Sequence, residues 1–140
     1  MKKLLLISLL SVGLFSCSSD DDNATPASLN GKWAMEKSYI IFNNEIINDQ
    51  TEIHVHNCSS SKDYIQFNEN TTTGLEREYY ESCNSYDDDF TYTVNGNNVM
   101  MNFDEYEWDA TIYEITNEVL KLQDNTASGF GRIFEYKKIN

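Results

Sequence analysis

DDFTYTVNGNNVMMNF, Asp88 to Phe103, is the stretch from which the fold can be read. Alternate side chains of an extended chain point to opposite faces, so Phe90, Tyr92 and Val94 share one side while Thr91 and Thr93 share the other. The four residues Asn95-Gly96-Asn97-Asn98 accommodate the positive φ angles of a tight turn, and Val99 to Phe103 resume an apolar segment. A strand, a turn and a returning strand predict an antiparallel hairpin.

Downstream of it come EWDATIYEI (107–115), a turn at TNE (116–118), VLKLQ (119–123), a loop at DNTASG (124–129) and FGRIFEYKKI (130–139). Upstream, GKWAMEKSYIIF (31–42) reads as a long first strand. DYIQF (63–67) alternates, with Ile65 and Phe67 on one face and Tyr64 and Gln66 on the other, and TTTGLEREYYESC (71–83) follows. Few stretches past Leu29 keep a helical apolar period for three turns. The total is eight strands, or nine if TEIHVHNC (51–58) also pairs. Short connections favour antiparallel neighbours, and a long run of hairpins leaves open edges unless it closes on itself. The expected fold class is therefore all-β, an antiparallel up-and-down barrel of eight strands, or nine.

The chain begins differently. Lys2 and Lys3 form a basic start, Leu4 to Phe15 an apolar run of about a dozen residues, and Ser16 precedes Cys17, the layout of a secretory signal peptide. At 1.5 Å per residue such a run reaches about 18 Å of a roughly 30 Å hydrocarbon layer, too little for a permanent span. Leu14-Phe15-Ser16-Cys17 resembles the lipobox of bacterial lipoproteins, in which the cysteine carries palmitate or another acyl chain, with Phe15 bulkier than the usual residue. The expected organisation is a signal peptide over 1–16, a lipidated Cys17 heading an acidic tether over 17–28, and one domain over 29–140. SSDDD (18–22) resembles the acidic signal that sends lipoproteins of Bacteroidetes-type bacteria to the outer face of the outer membrane. A solvated tether is the plainer reading of the same aspartates.

Loss of Lys2 and Lys3 takes the formal charge from −13 to −15. Such a field repels nucleic acid and anionic lipid, so a nucleic-acid partner is not expected and membrane attachment falls to the lipid. With Cys17 acylated, Cys58 and Cys83 remain, able to pair in an oxidising compartment or to stay as two buried thiols. A bridge between them would stabilise the fold by roughly 3.5 kcal/mol on the chain-entropy view.

LNGKW (29–33) resembles the Gly-x-Trp signature of lipocalins. The order lipobox, acidic tether, GKW, cysteine, DYIQF, cysteine, YTVNGN and apolar hairpin is similar to that of lipocalin-like lipoproteins of Bacteroidetes-type bacteria. The resemblance implies that Gly31 and Trp33 mark the closed end of the barrel, with Trp33 packed against an arginine of the last strand, here Arg132. It also implies a small apolar ligand inside the barrel. The sequence holds 18 aromatic residues, of which Tyr92 and Tyr113 are candidates to line a cavity or to fill it. Trp108 stands among acids and is expected to be more exposed than Trp33.

His54 and His56 would share a strand face with Glu52 and Cys58, but no third histidine completes a set, and no metal site is assigned. Asp87-Asp88-Asp89 and the acids from Asp104 to Asp109 lack EF-hand spacing and read as solvated loops. No nucleophile motif or phosphate loop is present, so neither a cofactor nor an enzymatic activity is expected. Two functions remain: a monomeric carrier of a small apolar ligand tethered at the cell surface, or an interaction module with a side-chain-filled barrel.

Overall fold

The structure, a computed structural model, describes residues 28–43, 45–125 and 130–140; the signal peptide, Cys17 and most of the tether lie outside them. The strands are β1 (Gly31–Phe42), β2 (Glu45–Ile53), β3 (Tyr64–Phe67), β4 (Thr73–Tyr79), β5 (Ser85–Asn95), β6 (Asn98–Phe103), β7 (Glu107–Ile115), β8 (Val119–Asp124) and β9 (Phe130–Ile139), with no helix among the described residues. The β5–β6 hairpin forms in the expected place, Asn95 opposite Asn98, and the turn needs one positive φ, 61° at Gly96.

From β3 to β9 each strand pairs antiparallel with the next. The last strand then returns along the first, from Lys32 opposite Ile139 to Phe42 opposite Phe130, and the sheet closes into a barrel. The other edge of β1 is shared: Gly31 to Ala34 pair with β3, and Lys37 to Phe42 pair with β2. Nine strands thus occupy eight positions. The ninth strand is Glu45–Ile53 and not the expected 51–58, for His54 to Cys58 leave the sheet toward Asp63, which both histidines contact. Asp87 to Asp89 form no loop either. They lie in β5, opposite Arg77, Glu76 and Leu75, because the ladder with β4 runs on to Ser85.

Inward-facing residues pack densely toward the end where β1 begins. Trp33, Ile65, Phe67, Val99, Met101, Leu120 and Leu122 are essentially inaccessible. The rings of Phe67, Phe90 and Tyr92 meet edge-on or tilted, with centroids 5.0 to 6.2 Å apart. Trp33, 0% exposed, donates its indole N–H to the Leu29 carbonyl at 2.6 Å, so its one polar atom is satisfied. Gly31 turns the chain into this strand with φ 117°, and a Cβ there would lie 2.9 Å from Lys138 Cε.

The cation over the Trp33 ring is Lys138, with Nζ 4.8 Å from the centroid, and not Arg132 as expected. Register decides this: the β1–β9 ladder sets Trp33 opposite Lys138 and Arg132 opposite Ile40. Arg132 instead donates to Ser38 Oγ at 3.0 Å and pairs with Glu52. Trp33→Ala should therefore cost about 3–5 kcal/mol in urea denaturation, the loss expected for a fully buried tryptophan. Arg132→Ala, losing a partly exposed ion pair, should cost about 1 kcal/mol or less.

Candidate functional site

Away from Trp33 the barrel interior changes character. Residues directly opposed across a ladder share a face, and Glu76 stands between the buried Ile65 on β3 and Asp88 on β5. Along β5 the inward series continues outward from Tyr92 and Phe90 to Asp88 and Tyr86, and Tyr86 faces Glu78. Two neighbouring strands thus carry three carboxylates on the inner face of the barrel mouth. Tyr106, in the turn between β6 and β7, stacks on Phe103 with ring centroids 4.5 Å apart and reaches Glu76 Oε2 with its hydroxyl at 3.5 Å. Glu76, Glu78, Tyr86, Asp88 and Tyr106 line a cavity of about 200 Å³.

The electrostatics follow from this crowding. Burial first, then the charges of Glu78 and Asp88, push the Glu76 carboxyl up to about 7, against a lowering from the Tyr106 hydroxyl. Burial likewise raises Tyr106 to about 12, with Glu76 and Asp88 adding to it. Among the described residues no lysine, arginine or histidine pairs with Glu76, Glu78 or Asp88. The mouth is a partly enclosed anionic pocket with aromatic walls.

Of the tyrosines singled out in the sequence, Tyr92 faces inward but fills the core. It is 8% exposed, and its hydroxyl donates to the Thr71 carbonyl at 3.2 Å. Tyr113 does not face the interior at all. A register shift between Ile112 and Glu114 leaves it without a ladder partner and 52% exposed, while Ile112 and Ile115 on either side pack on the core. Trp108 is more exposed than Trp33 yet still packs on the core, edge-on to Phe134 at 5.6 Å.

Cys58 and Cys83 form a disulfide with Cα atoms 5.0 Å apart, tying the β2–β3 connection to the β4–β5 hairpin beside the mouth. Near it, Asp63 Oδ1 accepts the Tyr79 N–H at 2.7 Å, and Oδ2 lies 2.7 Å from His54 Nε2 and 3.3 Å from His56 Nδ1. The Asp63 N–H lies 3.0 Å from that same His56 Nδ1, so this nitrogen either accepts from the amide or, when protonated, donates to Oδ2. Burial tends to raise Asp63, but His54, the Tyr79 amide and His56 outweigh it and hold the carboxyl below its ordinary value. One ligand atom of each of these three residues lies within 4.8 Å of the others, close enough to gather a metal ion only by giving up these bonds. In the structure they pin the β2–β3 connection to β4.

The raised Glu76 has a measurable consequence. Between about pH 4.5 and 7 the folded protein binds more protons than the unfolded chain, so stability should fall as pH rises through that window. Urea denaturation at pH 5 and 8 should show a loss of about 1–3 kcal/mol, and Glu76→Gln should remove most of it.

The family model described as a lipocalin-like domain matches residues 29–122. Among solved structures, a lipocalin-like protein from Bacteroides uniformis is 12% identical, with a TM-score of 0.55 over 79% of this chain and 98% of that one. An uncharacterized protein from Bacteroides eggerthii is 11% identical, with a TM-score of 0.54 over 80% of this chain and 100% of that one. No protein of curated function is similar enough to match. A closed antiparallel barrel, a first strand opened by Gly31 and Trp33, and a family match across two thirds of the sequence lead to one assignment: the chain belongs to the lipocalin-like domain family.

Proposed function

We propose that the protein is a binder and not an enzyme: a carrier that holds one small molecule at the mouth of its barrel. The observation that carries this reading is the cavity of about 200 Å³ walled by Tyr86 and Tyr106. It falls below the roughly 300–1,000 Å³ of drug-sized pockets, which suits a small compound or one end of a longer one. The packed interior around Trp33 restricts binding to the mouth, so the ligand need not be enclosed along its length.

The sequence before residue 28 supports attachment through lipid on Cys17 to the outer membrane, with the acidic tether holding the barrel away from the bilayer at the cell surface. A second reading, an interaction module, is favoured by Ile53 and Val55, two apolar side chains left largely exposed where β2 ends.

A neutral aromatic fluorophore, 1-aminoanthracene, should bind the purified protein saturably, competably and near one to one. Absence of saturable binding, together with absence of any copurifying small molecule, would favour the interaction module. In cells, the wild type should incorporate palmitate and fractionate with membranes, and Cys17→Ala should do neither. Unchanged membrane fractionation of the variant would contradict the anchor.

A further inference from the structure

We propose that His54, His56 and Asp63 bind one divalent transition-metal ion of the zinc class, at the point where the β2–β3 connection meets β4. The site shares no residue with the cavity at the barrel mouth and does not depend on the carrier reading.

The fold completes a ligand set that the two histidines alone leave short. Asp63 Oδ2 lies 2.7 Å from His54 Nε2 and 3.3 Å from His56 Nδ1, and one ligand atom of each of the three residues lies within 4.8 Å of the others. Bonds of about 2.0–2.2 Å to a tetrahedral zinc ion separate neighbouring ligand atoms by about 3.3 Å, so side-chain adjustments of about 1 Å would seat the ion. Val55, between the histidines, is largely exposed, while both imidazoles turn toward Asp63 with ring centroids 4.7 Å apart. The frame is fixed before any ion arrives. The His54 N–H donates to the Glu36 carbonyl at 2.9 Å and the Asp63 carbonyl accepts from the Met35 N–H at 3.4 Å, which hangs both ends of the connection on adjacent residues of β1. The disulfide at Cys58 holds its middle, and the Tyr79 N–H on Oδ1 leaves Oδ2 to the histidines. Ligands ordered in advance lose less freedom on binding.

Donor chemistry selects the class of ion. Two imidazole nitrogens and a carboxylate oxygen suit zinc and its late first-row neighbours, whereas calcium and magnesium take shells of oxygen. The protein alone leaves His56 Nδ1 in conflict: it faces a donor, the Asp63 amide, and an acceptor, Oδ2, and can match only one of them. A cation between Nδ1 and Oδ2 bonds the lone pairs of both, at the cost of the single neutral hydrogen bond from the amide. At His54 the ion replaces the proton that Nε2 and Oδ2 share, and that proton passes to solvent. The side chains of His54 and His56 are 27% and 16% exposed, so the ion enters from solvent and keeps a position for water. A formal charge of −13 raises the concentration of cations around the barrel.

Calorimetry with zinc chloride on the purified protein, prepared without a histidine tag, tests the site. One zinc ion should bind per chain, calcium chloride at equal concentration should not compete, and His54→Gln and His56→Gln should each weaken binding about tenfold or more. Glu69→Gln, which removes an exposed acid from the β3–β4 turn at the other end of β3, should leave zinc binding unchanged. Excess zinc should raise the Tm of the wild type by several degrees and that of neither histidine variant. Because the chain has only two histidines, nitrogen-15 spectra of the wild type read the site directly, and one ring nitrogen of each should shift when zinc binds. No zinc binding to the folded wild type, binding insensitive to both histidine substitutions, or imidazole signals unmoved by bound zinc would each overturn the proposal; the last two would put the ion on carboxylates elsewhere.

Discussion

The return of β9 along β1 is the constraint on which everything else depends. A sheet built only from hairpins between sequence neighbours would leave two rows of unpaired backbone groups, one at each end of the run. Here the twelve residues of β1 are long enough to satisfy β9 along one edge while the other edge serves β3 and then β2. That closure creates an inside. Alternation then assigns each side chain to the core or to the surface without further instruction.

The inside has two zones with different chemistry. Around Trp33, apolar side chains fill the space, the indole N–H is bonded to Leu29, and Lys138 covers the ring from outside the core. At the other end Glu76, Glu78 and Asp88 occupy inward positions that the alternation reserves for packing, and they make the mouth anionic. Stability alone would favour apolar residues there, since Glu76 is driven toward its neutral form by burial and by its two acidic neighbours. A local rule broken at the open end of an otherwise consistent barrel marks a functional or strained site. The disulfide and the Asp63 cluster stand beside that mouth and hold its rim.

Most of the fold was legible because apolar alternation is strong in β1, β3 and β5 to β9, and Asn-Gly fixes the central turn. What escaped was set by register or by distant partners. Arg132 and Lys138 lie an even number of residues apart on the last strand, so alternation cannot choose which meets Trp33; only the β1–β9 register does. A bulge after Ile112 turned Tyr113 outward, and nothing in TIYEI announces a bulge. His54 and His56 were visible as a pair, but Asp63, which engages both, follows nine and seven residues later across a turn. β2 was largely missed because Asn48, Asp49 and Gln50 interrupt its apolar pattern. The acidic mouth could have been found: carrying the inward series of Phe90 and Tyr92 back by two and four residues reaches Asp88 and Tyr86. Reading Asp87 to Asp89 as a solvated loop hid that continuation.

That Glu76 is held in a partly enclosed anionic barrel mouth is tested most directly by the titration of its side-chain carboxyl, followed through its carbon-13 chemical shift in the folded, ligand-free protein. The expected midpoint is near 7, displaced downward when Asp88 is changed to Asn. A midpoint in the ordinary glutamate range of about 4 to 4.5, unmoved by that change, would contradict it.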